Sequence, residues 1–136
     1  MSANWILIAN PTAGAGRGRS IAERATLALQ DAGQAVELRY TREKGHGAEL
    51  AQNAVAEDAA RLVVCGGDGT IGEVLPALAG SDTALGILPF GTANDLARAL
   101  DIPRKVDAAV DTLLNGRIER IDLGRAGERF FATVAA

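Results

Sequence analysis

The segment Gly66-Gly67-Asp68-Gly69-Thr70 constrains the fold of this chain more than any other feature. It follows an apolar run, residues 62–65, and precedes apolar residues spaced as on one face of a helix: Ile71, Val74, Leu75 and Leu78. This order predicts strand, tight turn and helix, whereas an Asp-Gly pair alone would also fit a hairpin. Glycines let the backbone approach an anion, and a helix N-terminus offers unpaired N–H groups, so the segment predicts a phosphate-binding loop.

Asp68 indicates which class of ligand the predicted phosphate-binding loop would take. A carboxylate beside phosphate oxygens is repelled unless a cation, a sugar hydroxyl or an adenine amino group lies between them. We therefore expect a nucleotide with Mg²⁺. We also expect Gly67 to need the space of a missing side chain, and its backbone to adopt a φ that other residues avoid.

Composition excludes several function classes. The 136 residues carry a formal net charge of −3, and only five of them are aromatic. Nucleic-acid binding is therefore not predicted, because the sequence has neither an excess of positive charge nor many aromatic residues on which bases could stack. Cys65 and His46 are the single residues of their types, which excludes an internal disulfide and a Cys/His zinc site within the sequence. We expect Cys65 to be a buried apolar residue and His46 to be a capping or exposed loop residue.

The first residues carry no signal of export. The start lacks a basic region, and the apolar run of residues 5–9 is too short for a signal peptide or a membrane span. We expect a cytoplasmic protein.

Strands and helices alternate along the predicted elements. Strands are expected at 5–9, 35–40, 61–65 and 84–88, and helices at 20–32, 47–58, 70–79, 92–100 and 103–115. Thr70 and Glu73 have the spacing of a capping box. Alternation of this kind predicts parallel pairing with right-handed crossovers, and ligands then bind outside the carboxyl ends of the strands.

The last stretch breaks this alternation. Residues 117–123 and 129–135 predict two antiparallel strands around the turn at 124–127. We expect the nucleotide-binding domain to occupy 1–123, and 124–136 to begin a second, β-rich domain. Phe130, Phe131 and Val134 would then lack cover, which predicts a homo-oligomer formed through the C-terminal strands or a disordered tail.

Three loops, Asn10–Gly18, Gly66–Thr70 and Pro89–Asp95, follow predicted strands and can converge on one crevice. The first lacks the Gly-Lys-Ser/Thr ending of a Walker A motif, and Arg19 stands where a dinucleotide fingerprint has its third glycine. Arg17 and Arg19 are candidates for phosphate or head-group contact, as are Arg42 and Lys44.

Together these motifs resemble the diacylglycerol kinase catalytic-domain family, which includes bacterial lipid kinases, sphingosine kinases and ceramide kinases. The matching features appear in family order over residues 4 to about 123. They are the Asn-Pro and glycine-rich loop, Thr41-Arg42 with Gly45-His46 and Ala48, Gly-Gly-Asp-Gly-Thr with Glu73, and the run from Leu85 through Pro89-Phe90-Gly91-Thr92-Ala93-Asn94-Asp95 to Arg98.

The resemblance implies an α/β fold, a three-layer, mostly parallel sheet with helices on both faces, similar to the nucleotide-binding domains of 6-phosphofructokinase and NAD kinase. It implies a kinase that uses Mg²⁺ and passes the γ-phosphate of ATP to a hydroxyl of a diacylglycerol-like or sphingoid lipid at a membrane surface. The family's general base lies in a second domain, so no catalytic base is assigned here, and we expect this chain alone to be inactive.

Carried over position by position, the resemblance implies a nucleotide site and a substrate side. Asn94 and Asp95 are candidates for contact with the acceptor, although capping of the helix that follows is their plainer role. Asp68 is the candidate Mg²⁺ contact. The implied nucleotide-binding residues are Asn10, Pro11, Thr12, Ala13, Gly14, Thr41, Gly66, Gly67, Asp68, Gly69, Thr70, Ile71, Gly72, Glu73 and Thr92.

Two alternatives stay open. NAD kinases share the Gly-Gly-Asp-Gly-Thr signature, although the Pro-x-Gly-Thr-x-Asn-Asp pattern at 89–95 favours the lipid branch. A phosphorylation assay that compares NAD with a lipid as the acceptor distinguishes a NAD kinase from a lipid kinase. A non-catalytic module that binds ATP or ADP and regulates a partner is the other alternative, and the length of the gene beyond Ala136 would decide it.

Overall fold

Five buried residues, Trp5–Ala9, form a strand inside the sheet on which the whole chain is built. The computed structural model describes residues 4–90, 94–124 and 128–135. The strands are β1 (Trp5–Ala9), β2 (Val36–Tyr40), β3 (Arg61–Gly66), β4 (Ala84–Pro89), β5 (Arg117–Asp122) and β6 (Arg129–Val134). The helices are α1 (Arg17–Asp31), α2 (His46–Ala56), α3 (Asp68–Leu78), α4 (Asp95–Ala99) and α5 (Val106–Asn115).

The six strands form one mostly parallel sheet in the order β2-β1-β3-β4-β6-β5. The pairs β1 with β2, β1 with β3, β3 with β4 and β4 with β6 are parallel, and β5 pairs antiparallel with β6. All residues of β1 and β4 are buried, as expected for strands covered on both faces. The predicted α/β class and its parallel sheet are confirmed.

The helices cover the sheet from two sides. The chain moves from β1 outward to β2 and then back past β1 to β3, so right-handed crossovers place α1 on one face and α2 and α3 on the other. α5 packs against α1, and α2 packs against α3. The core that results is aliphatic, with Ile6, Leu7, Leu62, Leu85 and Ile87 among its fully buried side chains.

Several helices begin at residues other than the predicted ones. α1 starts three residues earlier than expected, because Gly16 takes a left-handed backbone (φ 91°) that turns the chain into the helix. α3 starts at Asp68 instead of Thr70, with only Gly67 between it and the strand. α5 starts at Val106 instead of Pro103. The predicted start of the helix at Thr92 lies outside the described residues.

The C-terminal hairpin belongs to the sheet. β6 pairs with β4, with Ala84 opposite Phe131 and Leu85 opposite Ala132. The expectation that the apolar tail lacks cover is wrong for Phe130 and Val134, which are 2% and 4% exposed, because β6 enters the sheet beside a buried strand. The domain division after residue 123 and the oligomer through these strands stay predictions.

None of the helices in the described ranges is both long and apolar enough to cross a lipid bilayer.

Gly86 sets how closely α5 approaches the sheet. A Cβ atom at this position of β4 would overlap the Leu113 side chain of α5 and come within 3.3 Å of Val63. Leu113 is 2% exposed, so it has little room to move away. The missing side chain therefore allows a helix to pack directly on the strand.

We expect Gly86→Ala to lower the free energy of unfolding by about 1–3 kcal/mol, the usual cost of one extra carbon in a packed core. Urea denaturation followed by circular dichroism measures it. Gly72→Ala is the matched control, because a Cβ on this exposed residue of α3 meets no neighbour and alanine favours a helix. A Gly86→Ala protein as stable as the parent would contradict the packing argument.

Candidate functional site

A cleft of about 580 Å³ lies at the carboxyl ends of β1, β2 and β3. Its volume falls within the range usual for small-molecule sites. Seven of the residues predicted to bind a nucleotide line it, and they come from three separate segments of the chain. These residues are Asn10, Pro11, Thr12, Thr41, Gly69, Thr70 and Glu73.

The first loop is held by its own side chains. Asn10 Oδ1 accepts hydrogen bonds from the Thr12 N–H (3.1 Å) and from the Thr12 hydroxyl (3.0 Å). The loop then lies against the first turn of α1, where a Cβ at Gly18 would overlap the Asn10 carbonyl oxygen. Gly18 therefore holds the loop close to the helix, and Asn10 and Thr12 face the cleft in a fixed turn.

A glycine stands where α3 would have a capping side chain. β3 ends at Gly66, and Gly67, which precedes the helix, has no side chain to cap its first turn. The expectation of an unfavourable backbone at Gly67 is wrong, because its φ of −103° and ψ of −167° are extended angles that any residue adopts. Uncapped N–H groups at a helix N-terminus favour an anion.

Asp68 links this turn to the segment after β4. Its Oδ2 accepts a hydrogen bond of 3.0 Å from the backbone N–H of Asp95. Asn94 directly precedes α4 but makes no side-chain capping bond, so the capping role expected for it is wrong. The Asp95 carboxylate is exposed and pairs with Arg98 at 2.6 Å.

Glu73 joins two helices. The predicted capping box is wrong, because α3 begins two residues before Thr70 and Glu73 lies inside the helix. Glu73 Oε1 instead accepts a hydrogen bond of 3.0 Å from the N–H of Gly47, in the first turn of α2. A carboxylate at a helix N-terminus is favoured by the unpaired donors and the dipole there. One wall of the cleft is thereby tied to α2.

Basic side chains also line the cleft. The Arg19 guanidinium lies 4.5 Å from the centre of the Tyr40 ring, and the Tyr40 hydroxyl donates to Glu23 Oε1 at 3.2 Å. Burial, reinforced by Glu23, raises the pKa of Tyr40, so the phenol stays protonated and neutral. Arg42 and Lys44 line the same cleft. Tyr40 and Glu43 were missed in the sequence, although both adjoin the predicted strand end.

The remaining predicted residues do not line this cleft. Ala13 and Gly14 line a second groove between α1 and α5. Gly66 is buried at the end of β3, and Ile71 packs into the core at 2% exposure, so each can contribute its backbone only. Gly72 lies beside a small groove next to Leu75 and Leu123. Thr92 lies outside the described residues.

His46 and Cys65 have no part in the described chemistry. His46 Nδ1 accepts a hydrogen bond from the backbone N–H of Arg42 (2.9 Å), the local capping role expected for it. Burial raises the pKa of Cys65 to about 12, so the thiol is protonated at neutral pH and is a poor nucleophile.

Comparison with known proteins decides the family. The family model of the diacylglycerol kinase catalytic domain matches residues 4–126. The chain belongs to the diacylglycerol kinase catalytic-domain family. This membership was predicted from the Gly66–Thr70 and Pro89–Asp95 motifs, and it is confirmed.

Individual members of the family agree. The chain is 32% identical to a diacylglycerol kinase of Staphylococcus epidermidis (strain ATCC 35984) over 132 residues, which are 96% of this chain and 42% of that protein. A diacylglycerol kinase of Staphylococcus aureus (strain MRSA252) is 33% identical over the same length, with the same shares covered. A crystal structure of a diacylglycerol kinase from Bacillus anthracis str. Sterne superimposes with a TM-score of 0.80 at 27% identity, covering 93% of this chain and 47% of that one. The chain thus spans less than half the length of these relatives.

Membership in this kinase family raises the question of Mg²⁺. In the part of the chain that the structure describes, no three His, Cys, Asp or Glu side chains form a ready metal cage. Mg²⁺ bound to a nucleotide needs none, because it uses one or two carboxylates with phosphate oxygens and water as its other ligands. Asp68, at the bare start of α3 and held by the Asp95 N–H, fits that requirement.

The tie between Glu73 and α2 predicts a stability effect. Glu73→Ala removes the acceptor of the Gly47 N–H, and we expect the free energy of unfolding to fall by about 1.5–3 kcal/mol, as for hydrogen bonds to charged groups. Glu73→Gln keeps an acceptor oxygen and should lose less. Urea denaturation measures both variants. Equal losses for Ala and Gln would contradict a role for this hydrogen bond.

Proposed function

We propose that this chain is the nucleotide-binding part of a lipid kinase that transfers the γ-phosphate of ATP to a lipid hydroxyl of the diacylglycerol or sphingoid type. The start of α3, where Gly67 supplies no side-chain cap, carries this proposal, because it lies beside the cleft lined by Asn10, Thr41 and Thr70. The enzyme would work from the cytoplasm at a membrane surface, since its acceptor is a lipid.

The arrangement of charge suits a polyphosphate. The phosphates would lie against the first N–H groups of α3, where the glycines at 66, 67 and 69 leave the backbone accessible. Arg19, Arg42 and Lys44 line the same cleft and supply positive charge there. Arg19 keeps its position because its guanidinium lies on the Tyr40 ring, and a side chain ordered in advance loses less entropy when a ligand binds.

Asp68 is the residue that would contact Mg²⁺ in this site. Mg²⁺, when bound, neutralises the phosphate oxygens and orients the terminal phosphate. The hydrogen bond from the Asp95 N–H holds one oxygen of Asp68 and directs the carboxylate at the start of α3. Without a cation that carboxylate would repel the phosphates, so we expect nucleotide affinity to depend on Mg²⁺.

The family match supports a lipid acceptor over NAD. The matched model describes diacylglycerol kinases, and the relatives named above carry the same name. These relatives are more than twice as long as this chain. The base that would activate the acceptor hydroxyl and the rest of the acceptor pocket are therefore expected in a second domain.

We expect this chain to bind ATP in a Mg²⁺-dependent manner, and Asp68→Ala to weaken binding by about ten- to a hundredfold, because a charge-assisted contact is lost. Asp68→Asn keeps an acceptor for the Asp95 N–H but loses the charge, so it isolates the metal effect. Titration calorimetry with and without Mg²⁺ measures all three proteins.

Asp82→Ala is the matched control, since Asp82 is an exposed residue of the turn before β4, at the opposite edge of the sheet. An Asp68→Asn protein that binds Mg²⁺ and ATP as tightly as the parent would remove the metal role from Asp68.

We expect the 136-residue chain alone to transfer no phosphate to diacylglycerol, because the acceptor hydroxyl has no group to orient it. Positioning of two reactants can supply about 7–11 kcal/mol of the barrier reduction, so its loss alone lowers the rate by about 10⁵- to 10⁸-fold. Radiolabelled ATP with diacylglycerol in mixed micelles provides the assay. Turnover above that of a chain carrying Asp68→Ala would place a sufficient base within these residues.

A further inference from the structure

The tip of the first glycine loop has an unusual backbone. Gly14, Ala15 and Gly16 are three consecutive residues with positive φ, at 59°, 58° and 91°. A left-handed backbone is unfavourable for alanine, and such a conformation persists only where the surrounding structure holds it. Two hydrogen bonds inside the loop are long, since the N–H groups of Gly16 and Arg17 donate to the Thr12 and Gly14 carbonyls at 3.4 and 3.3 Å. The tip therefore depends on a contact from outside the loop.

The ring of Phe90 supplies that contact. A Cβ atom on Gly14 would lie 2.4 Å from Cζ, the atom at the end of the Phe90 ring, and 3.0 Å from Cε1. The ring thus points at the Gly14 backbone and occupies the space that any other side chain there would fill. The guanidinium of Arg17, the first residue of α1, lies 5.7 Å from the centre of the same ring. The half-buried ring therefore contacts both the loop tip and the start of α1.

The backbone of Phe90 belongs to the other side of the nucleotide site. Its N–H donates to the Gly66 carbonyl at 3.2 Å, and its own carbonyl oxygen lies 3.4 Å from the position of a Cβ on Gly67. Both glycines lie in the turn that leads into α3. Pairing in the sheet fixes only the base of the loop, because Ala9, opposite Cys65, is the last residue of β1. Phe90 therefore connects the loop tip to the start of α3.

We propose that Phe90 is a positioning residue for nucleotide binding: its ring holds the tip of the first glycine loop, and thereby keeps Asn10 and Thr12 at a fixed distance from the start of α3. The proposal rests on the nucleotide-binding function. A site whose two sides are ordered before the ligand arrives loses less entropy on binding. Phe90 acts through the loop, because it lines the groove between α1 and α5 while Asn10 and Thr12 line the cleft.

Titration calorimetry with Mg²⁺ and ATP on three Phe90 variants tests the proposal. Phe90→Ala should weaken binding about tenfold, because loop side chains must then be ordered when the nucleotide binds. Phe90→Met should recover most of that loss, since its flexible chain can reach Gly14. Phe90→Tyr should weaken binding as Phe90→Ala does, because a hydroxyl on Cζ is directed at the Gly14 backbone. If the ring only covered apolar surface, Phe90→Tyr would be the mildest change, and that order would overturn the proposal even where Phe90→Ala fails to fold.

A double-mutant cycle tests the contact itself. Gly14→Ala should weaken ATP binding more than Gly16→Ala, because both residues have positive φ but a Cβ on Gly16 meets no neighbour. In a chain that carries Phe90→Ala, the two glycine substitutions should have equal effects, because the ring that Gly14→Ala displaces is absent. Additive losses for Gly14→Ala and Phe90→Ala would contradict the proposal.

Phe131→Ala is the matched control for loss of an aromatic ring. Phe131 is also half-buried and has an arginine guanidinium, that of Arg120, 5.2 Å from its ring centre. It lies opposite Ala84, at the amino end of β4 and away from the cleft. Phe131→Ala should lower the midpoint of urea denaturation and leave ATP affinity unchanged. Equal losses of affinity in Phe90→Ala and Phe131→Ala would show that Phe90 acts through overall stability alone.

Amide hydrogen exchange without nucleotide separates this proposal from the function on which it rests. The N–H groups of Gly16, Arg17 and Gly18 should exchange about tenfold faster in Phe90→Ala, and at the parent's rate in Phe131→Ala. This result, together with no ATP binding by the parent, would leave the contact of Phe90 with the loop in place and refute the nucleotide-binding function. Mg²⁺-dependent ATP binding of equal strength in the parent and all Phe90 variants would refute the positioning role alone.

Discussion

The parallel pairing of β1, β3 and β4 is the constraint on which the rest of the molecule depends. Parallel neighbours cannot be joined by a tight turn, so each connection must leave at the carboxyl edge and return through a helix that covers the sheet. Both faces are thereby buried, and the loops after all three strands open at the same edge. The cleft lies at this edge because all three strands run in the same direction.

The first glycine loop has a particular place in this arrangement. It lies between the nucleotide cleft and the groove between α1 and α5. Asn10 holds Thr12 by two hydrogen bonds, and Gly18 and Gly14 allow close contact within the loop and with Phe90. In the proposed function the donor nucleotide lies on the cleft side of this loop, against Asn10 and Thr12.

Local patterns in the sequence were enough to predict the parallel strands β1 to β4 and about half of the site, but not the place of β6 inside the same sheet. β1, β3 and β4 are largely apolar runs that end near glycine or proline, and the Gly66–Thr70 turn precedes residues spaced as on one face of a helix. Contacts between residues that lie far apart in the sequence could not be predicted from it. The Arg19–Tyr40 contact joins α1 to β2, the Glu73–Gly47 bond joins two helices, and Asp68 meets the N–H of Asp95, 27 residues later. No local period encodes such pairs.

The strand order also has a consequence for how the chain folds. β6 lies between β4 and β5, so the polypeptide makes the outer strand first and fills the inner position only on its return. During synthesis the edge of β4 stays open until the last residues of β6 emerge from the ribosome, and an open apolar edge invites pairing with another nascent chain. The cleft, built at β1, β2 and β3, is complete before that step. Ligand binding by the nascent chain could thus precede closure of the sheet, and the nucleotide would then stabilise the half that folds first.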